Sequence, residues 1–157
     1  MKQQLTALEK LIECALNQLY HEDIYLIKNG VHERSIVFRF AHYLQNLMDI
    51  TPALKEYNLD FEYNKNGRFS KRIPARLRGA FPDLIVHKRG TNEFNLLIIE
   101  FKTWWDPNTR EDKKKLLQFV DSNGEYKYLC GKSIVLDTNR KGVRIWTHLR
   151  EDTDDAL

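Results

Sequence analysis

The apolar segment at residues 96–101 constrains the fold of this chain more than any other feature. Its sequence, LLIIEF, is apolar at every position before Glu100, which is typical of a central β-strand buried on both faces. Unpaired charge is expensive inside such a strand, so an acidic residue there needs a partner or a metal ion. The segment therefore predicts a covered sheet with a carboxylate inside it.

Amphipathic helices are predicted where apolar residues recur at spacings of three and four. They cover residues 3–20, 31–48 and 109–121, with a short helical turn at 53–57. The predicted strands are residues 59–63, 83–88, 94–103, 133–136 and 143–148. The resulting order, α, α, β, β, β, α, β, β, predicts an α/β fold in which helices flank a central mixed sheet.

Length and composition favour one domain, because 157 residues with 42% apolar content can enclose a single core. We place that domain at residues 1–150, followed by an acidic, flexible tail at 151–157. No apolar run approaches the ~20 residues that cross a bilayer, and Glu9 and Glu13 interrupt the region that a signal peptide needs. We therefore expect a cytoplasmic protein with no membrane partner.

The positive charge of the chain is concentrated between residues 65 and 79. This segment has no Asp or Glu, and it contains Lys65, Arg68, Lys71, Arg72, Arg76 and Arg78. Lysine and arginine side chains that neutralise phosphates release counterions, so the composition suits a nucleic-acid backbone. The alternative is a solvated surface loop, which composition alone does not exclude.

Two carboxylates are predicted to face each other across a hairpin. The midpoint between Asp83 and Glu100 falls within the predicted turn at residues 89–93, so the two side chains would be opposed on one face of the sheet. Because strand side chains alternate, Lys102 shares that face and Phe101 points to the other. Three charged groups would then converge.

A divalent cation would remove the repulsion between these carboxylates. Mg²⁺ prefers oxygen ligands and keeps several waters, so Asp83, Glu100 and the carbonyl of Phe101 make an adequate site, in which Mn²⁺ is expected to substitute. Lys102 could orient the attacking water or neutralise developing negative charge. The structural alternative is that the carboxylates only form salt bridges with Lys102 and nearby arginines.

The segment Pro82-Asp83, sixteen further residues and then Glu100-Phe101-Lys102 resembles the signature of the PD-(D/E)XK nuclease superfamily. The predicted elements from Val31 to Leu136 are similar to the αβββαβ core of that restriction-endonuclease-like fold, with an extra N-terminal helix and an extra C-terminal strand. The resemblance implies a magnesium-dependent endonuclease acting on DNA. It also implies that Asp83 and Glu100 bind metal and that Lys102 is catalytic.

The resemblance points to further candidates on two helices. Many members carry an acidic residue on the core helix, where Glu33 lies in line with apolar residues. Glu33 is therefore either a metal ligand or the third residue of a helix capped by Gly30. Some members present Lys or Gln from the later helix, which makes Lys115 and Gln118 candidates. Trp104-Trp105 could stack on a base or simply pack.

Two other functions remain open at this stage. A nucleic-acid-binding or regulatory module could keep the fold without cutting, although the complete Asp83, Glu100 and Lys102 set disfavours it. A glycoside hydrolase could use the two carboxylates as acid and base, but the basic segment suits phosphate better. DNA is favoured over RNA as the partner, a homodimer is expected if both strands are cut, and a protein partner could supply specificity.

Overall fold

The computed structural model describes residues 1–63, 65–66, 69–73 and 81–151. Its helices are α1 (Lys2–Glu22), α2 (Ile24–Lys28), α3 (Glu33–Asp49) and α4 (Arg110–Val120). Its strands are β1 (Asn58–Phe61), β2 (Lys65–Asn66), β3 (Phe69–Ser70), β4 (Leu84–His87), β5 (Leu97–Thr103), β6 (Cys130–Leu136) and β7 (Arg144–Leu149). Apart from Glu151, the predicted acidic tail lies outside the described residues.

Five strands form one mixed sheet in the order β1-β4-β5-β6-β7. Strands β5 and β6 are parallel, and the other neighbours in this sheet are antiparallel. A parallel pair needs a crossover connection, which α4 supplies between β5 and β6. Strands β2 and β3 form a separate small hairpin. The chain is thus an α/β protein with a five-stranded mixed sheet flanked by helices, as the order of predicted elements indicates.

The larger core lies between the sheet and helices α1 and α3. The buried positions of α1 recur every three or four residues, so one stripe of the helix faces inward. On β5 the alternate residues Leu97, Ile99 and Phe101 point into this core. Phe101 meets Phe40 of α3 edge to face, with ring centroids 5.1 Å apart. This face of β5 serves packing.

The opposite face of the sheet is covered by α4. Leu116 and Phe119 of this helix pack with Ile85 and Ile98 of the sheet in a second, smaller core. Gly131 of β6 lets the helix approach closely, because a Cβ atom at this position would lie 3.0 Å from the Val120 side chain. The charged residues of β5 that alternate with its core residues therefore lie on the α4 side.

Gly30 ends α2 and does not cap α3. The N–H groups of Val31 and Gly30 donate to the carbonyls of Leu26 and Ile27, which is the hydrogen-bond pattern of a Schellman motif. Gly30 has φ +63°, a conformation that glycine adopts without steric cost. The N-cap of α3 is instead His32, and Glu33 is the first residue of the helix. The alternative in which Gly30 caps α3 and Glu33 is its third residue is therefore wrong.

Candidate functional site

Asp83 and Glu100 lie opposite each other at the end of the β4–β5 hairpin. The last paired residues are Leu84 and Ile99, so the same register continued by one residue pairs Asp83 with Glu100. Asp83 Oδ2 accepts the N–H of Phe101 at 2.7 Å, which fixes its carboxylate against β5. This register is the one that the position of the turn predicts.

Glu100 forms an ion pair with Lys115 of α4. Glu100 is 3% exposed, and the distance from its Oε1 to Lys115 Nζ is 2.6 Å. The same ammonium group donates a hydrogen bond of 3.2 Å to the carbonyl of Phe81. Lys115 therefore ties α4 to β5 through Glu100 and to the segment that precedes β4 through Phe81.

Lys102 lies on the same face of β5 as Glu100, two positions further along the strand. Its Nζ is 3.6 Å from Oδ2 of Asp112, a residue of α4. Burial alone would lower the pKa of Lys102, but the carboxylates around it, first Asp112 and then Glu33, outweigh burial and raise that pKa. Lys102 is therefore a stable cation at neutral pH.

Burial raises the pKa of both opposed carboxyl groups. For Glu100, burial lifts the pKa well above its ordinary value, and the ammonium of Lys115 only partly offsets this. For Asp83, burial again outweighs the hydrogen bond from Phe101 and raises the pKa. The full negative charge of this pair consequently depends on a nearby cation.

Glu33 approaches the same cluster from the N-terminus of α3. Burial raises its pKa to about 7, the positive charge of Lys102 opposes the rise, and the carboxylates of Asp83 and Asp112 add to it. Glu33 therefore interacts electrostatically with Asp83, Asp112 and Lys102. A role for Glu33 in binding metal stays a prediction.

The chemistry of this cluster fits a hard divalent cation. Glu100 Oε1 is buried, and it already faces a cation, the Lys115 ammonium group at 2.6 Å. The carbonyl of Phe101 leaves β5 on the same side as its N–H, which faces Asp83. The described residues hold no group of three or more His, Cys, Asp or Glu side chains placed to bind a metal. An ion here would therefore use two carboxylates, a main-chain carbonyl and water.

The predicted phosphate-binding segment is described only in part. Arg68, Arg76 and Arg78 lie outside the described residues. Arg72 is exposed, and its main chain is anchored to Tyr126: the Arg72 N–H donates to the tyrosine hydroxyl at 2.7 Å, and that hydroxyl donates to the Arg72 carbonyl at 2.9 Å. Arg72 is therefore held on the surface, where a phosphate could reach it.

Lys71 is buried, in contrast to the solvent-facing position that phosphate binding requires. Its side chain is 1% exposed and donates a 2.7 Å hydrogen bond to the hydroxyl of Tyr128. The rings of Tyr63, Tyr126 and Tyr128 surround its ammonium group at 5.2 to 5.8 Å. Burial lowers the pKa of Lys71 to about 8, and the charge of Asp60 opposes this fall. We call Lys71 and its three tyrosines the tyrosine cage.

The remaining candidates lie around this centre. Gln118 lines a groove beside β7 together with His148, so it belongs to a different surface from the carboxylates. Trp104 and Trp105 directly follow β5, are 42% and 39% exposed, and contact each other edge to face at 5.4 Å. Trp104 Nε1 donates to the carbonyl of Ile27 at 3.0 Å. The tryptophan pair thus combines packing with exposed ring area close to Lys102 along the chain.

Two polar residues of the cluster were not predicted as site residues. Asp112 faces Lys102, and its spacing of three from Lys115 on one helix could have indicated that both face the sheet. Ser133 of β6 pairs with Glu100, and its buried hydroxyl has no hydrogen-bond partner among the described residues. No local signal reveals Ser133, because its pairing joins segments that are distant in sequence.

No family model matches the chain, and searches of curated proteins and of solved structures find no match either. The chemistry of the charged cluster is therefore what indicates its function. That cluster has a buried glutamate opposed to a half-buried aspartate, ammonium groups from β5 and α4, and a main-chain carbonyl directed to the same side.

Proposed function

We propose that this protein is a divalent-metal-dependent nuclease that hydrolyses phosphodiester bonds, acting as an endonuclease on DNA. The observation that carries the proposal is the opposition of Asp83 and Glu100 at the end of a buried hairpin, with Lys102 on the same face. We further propose a restriction-endonuclease-like fold. The order α3, β1, β4, β5, α4, β6 supports it, with α1, α2, the β2–β3 hairpin and β7 as additions.

The residues that would hold the metal are Asp83, Glu100 and the carbonyl of Phe101. Glu33 is a further candidate, although the described side chains form no group of three acidic ligands. Mg²⁺ is the expected ion and Mn²⁺ its expected substitute. A bound ion of this kind supplies Lewis acidity, which lowers the pKa of water and stabilises negative charge on a phosphoryl oxygen. The hydrogen bond from Phe101 to Asp83 holds one ligand in place before any ion arrives.

Lys102 would act through its positive charge. Its raised pKa keeps the ammonium protonated at neutral pH, so it suits charge neutralisation and orientation of a water better than removal of a proton. Asp112 holds the Lys102 side chain from α4. With 24% of the side chain exposed, the ammonium group can meet a phosphate at the surface of the cluster.

The DNA backbone would contact the surface near the basic segment. Arg72 is the described residue that suits this role, because its main chain is fixed and its side chain is exposed. Arg68, Arg76 and Arg78 would extend the contact, as their position in a segment without acidic residues predicts. Backbone contacts of this kind favour binding without sequence readout.

A second candidate is a nucleic-acid-binding or regulatory module that does not cut. The ion pair between Lys115 and Glu100 favours it, because a carboxylate already paired with an ammonium group has less need of a metal. The two candidates make opposite predictions about metal-dependent cleavage.

The test is to incubate the purified protein with supercoiled plasmid, branched DNA and single-stranded RNA, each with Mg²⁺, Mn²⁺ or EDTA. The variants are Asp83→Asn and Lys102→Met, and the matched controls are Asp49→Asn and Lys114→Met at exposed positions. We expect metal-dependent cleavage that falls by about a hundredfold or more in both site variants and is unchanged in the controls.

Cleavage that persists in EDTA, or that survives in both site variants, would contradict the nuclease proposal. Binding of all forms to DNA with steep salt dependence but without cleavage would instead support the regulatory module. Comparison of the three substrates shows which of plasmid duplex, branched DNA and single-stranded RNA the protein cleaves.

A further inference from the structure

The ammonium group of Lys115 lies where a cation bound to Glu100 Oε1 would lie. It is 2.6 Å from Glu100 Oε1, and the Lys115 and Glu100 side chains are 12% and 4% exposed. An ion pair this buried is little screened by solvent, so the charge of Lys115 offsets much of the charge of Glu100. A metal ion and this ammonium group cannot both occupy the same side of one carboxylate oxygen.

We propose that Lys115 is an internal counter-ion of Glu100, which a divalent cation must displace before Asp83 and Glu100 can bind it. This inference rests on the proposed metal-dependent function. It assigns to Lys115 the role of setting the metal affinity of the site, without contact to the nucleic acid.

The surroundings of Lys115 allow such a displacement. The lysine side chain has four flexible methylene groups and carries a compact charge. Its Nζ already bonds the Phe81 carbonyl at 3.2 Å, so that contact can hold the ammonium group after it leaves Glu100. Phe81 is 57% exposed, so the residue that carries this carbonyl lies at the surface of the described part of the chain.

Removal of the Lys115 charge should therefore have two linked effects. Lys115→Met keeps the length and apolar stem of the side chain but leaves Glu100 without its buried partner, so the metal-free protein should unfold at a lower temperature than the wild type. A divalent cation would no longer compete with the ammonium group, so it should bind Lys115→Met more tightly than it binds the wild type. It should therefore raise the unfolding temperature of the variant by more than that of the wild type.

Lys115→Arg should have the opposite effect on metal affinity. Arginine stays charged and can hold a carboxylate through two parallel hydrogen bonds, so it is a stronger competitor for Glu100. The two variants distinguish an internal counter-ion from a residue that supports the metal site. If Lys115 supported the site, Lys115→Met would bind the metal more weakly than the wild type.

The experiment is calorimetric titration of each protein with Mg²⁺ and with Mn²⁺ in the absence of nucleic acid, with thermal unfolding in EDTA and in each metal. Lys114→Met serves as the control, because Lys114 is 54% exposed and pairs with Glu111. We expect a dissociation constant about tenfold lower in Lys115→Met, higher in Lys115→Arg and unchanged in Lys114→Met. Glu100→Gln combined with Lys115→Met should abolish this gain in metal affinity, since the carboxylate for which the two cations compete is gone.

Equal or weaker metal binding by Lys115→Met would overturn the inference, and so would tighter binding by Lys115→Arg. Should Lys115→Met fail to fold, the weaker binding expected of Lys115→Arg still decides the question. Tighter binding by Lys115→Met without cleavage of any substrate would support the counter-ion role while contradicting the nuclease proposal. Cleavage with unchanged metal affinity in the variants would support the nuclease proposal while contradicting the counter-ion role.

Discussion

Replacing Lys71 by Met should remove a pH-dependent part of the stability of this protein. The folded state lowers the pKa of Lys71 from 10.5 to about 8 by burial in the tyrosine cage. Below pH 8 the lysine is protonated in both states, so the folded state carries the whole cost of a buried charge. Between pH 8 and 10.5 the folded state has released the proton that the unfolded chain still holds, so the free energy of unfolding rises with pH.

The size of this effect follows from the shift. One pKa unit is worth 1.36 kcal/mol, so the full shift corresponds to about 3 kcal/mol, and about 2 kcal/mol of it falls between pH 7.5 and 9.5. Lys71 is 1% exposed, so solvent screening does not reduce the value. Burial also raises the pKa of Tyr126 and Tyr128, which lowers stability as pH rises beyond their unfolded value of 10, so the measurement should end at pH 9.5.

The assay is urea unfolding followed by tryptophan fluorescence at pH 7.5, 8.5 and 9.5. Wild-type protein should gain about 2 kcal/mol more than Lys71→Met over this range. Lys65→Met, at an exposed lysine of the adjoining β2–β3 hairpin, should behave as the wild type does. The same pH slope in wild type and Lys71→Met would refute the argument that the cage holds a destabilised charge.

Two further substitutions test the packing and electrostatics of the sheet. The folded state raises the pKa of Glu33 to about 7, so folded Glu33 keeps a proton that the unfolded chain loses above pH 4.5. The stability that this proton contributes is lost as pH rises through 7. Glu33→Gln should therefore gain stability over the wild type between pH 5 and 8 in thermal unfolding; a difference independent of pH would contradict this. Gly131→Ala should lower the free energy of unfolding by about 1 to 3 kcal/mol, because its Cβ would lie 3.0 Å from Val120; an unchanged urea midpoint would count against it.

The main elements of the fold follow from periodicity in the sequence, but their short neighbours do not. Helices α1, α3 and α4 and strands β1, β4, β5 and β7 lie within a few residues of their predicted positions. The five-residue α2 is too short to show a helical repeat, and two-residue strands such as β2 show no alternation. Local patterns need several turns or pairs before they become informative.

In strand β6, a charged residue interrupts the apolar pattern from which the start of a buried strand is predicted. The strand begins at Cys130, whereas the apolar run in the sequence begins after Lys132. Lys132 is 6% exposed because its ammonium group lies 3.1 Å from the Glu9 carboxylate and 2.9 Å from the Thr147 hydroxyl. Its partners come from α1 and β7, so only the assembled fold explains its burial.

At the candidate site, too, sequence patterns predict local contacts but not contacts between distant elements. The opposition of Asp83 and Glu100 follows from a turn and an alternating pattern, both of which are local. The contacts of Lys115 and the burial of Lys71 depend on how α4 and the β2–β3 hairpin dock on the sheet. A run of basic residues gives no indication that one of them points inward.

The side chains of β5 alternate between an apolar face and a charged face. Leu97, Ile99 and Phe101 face the larger core, whereas Glu100 and Lys102 face α4 and the charged cluster. Substitutions of Glu100 or Lys102 change the charge of the cluster without opening cavities in the larger core. The two faces of one strand can therefore be substituted independently of each other.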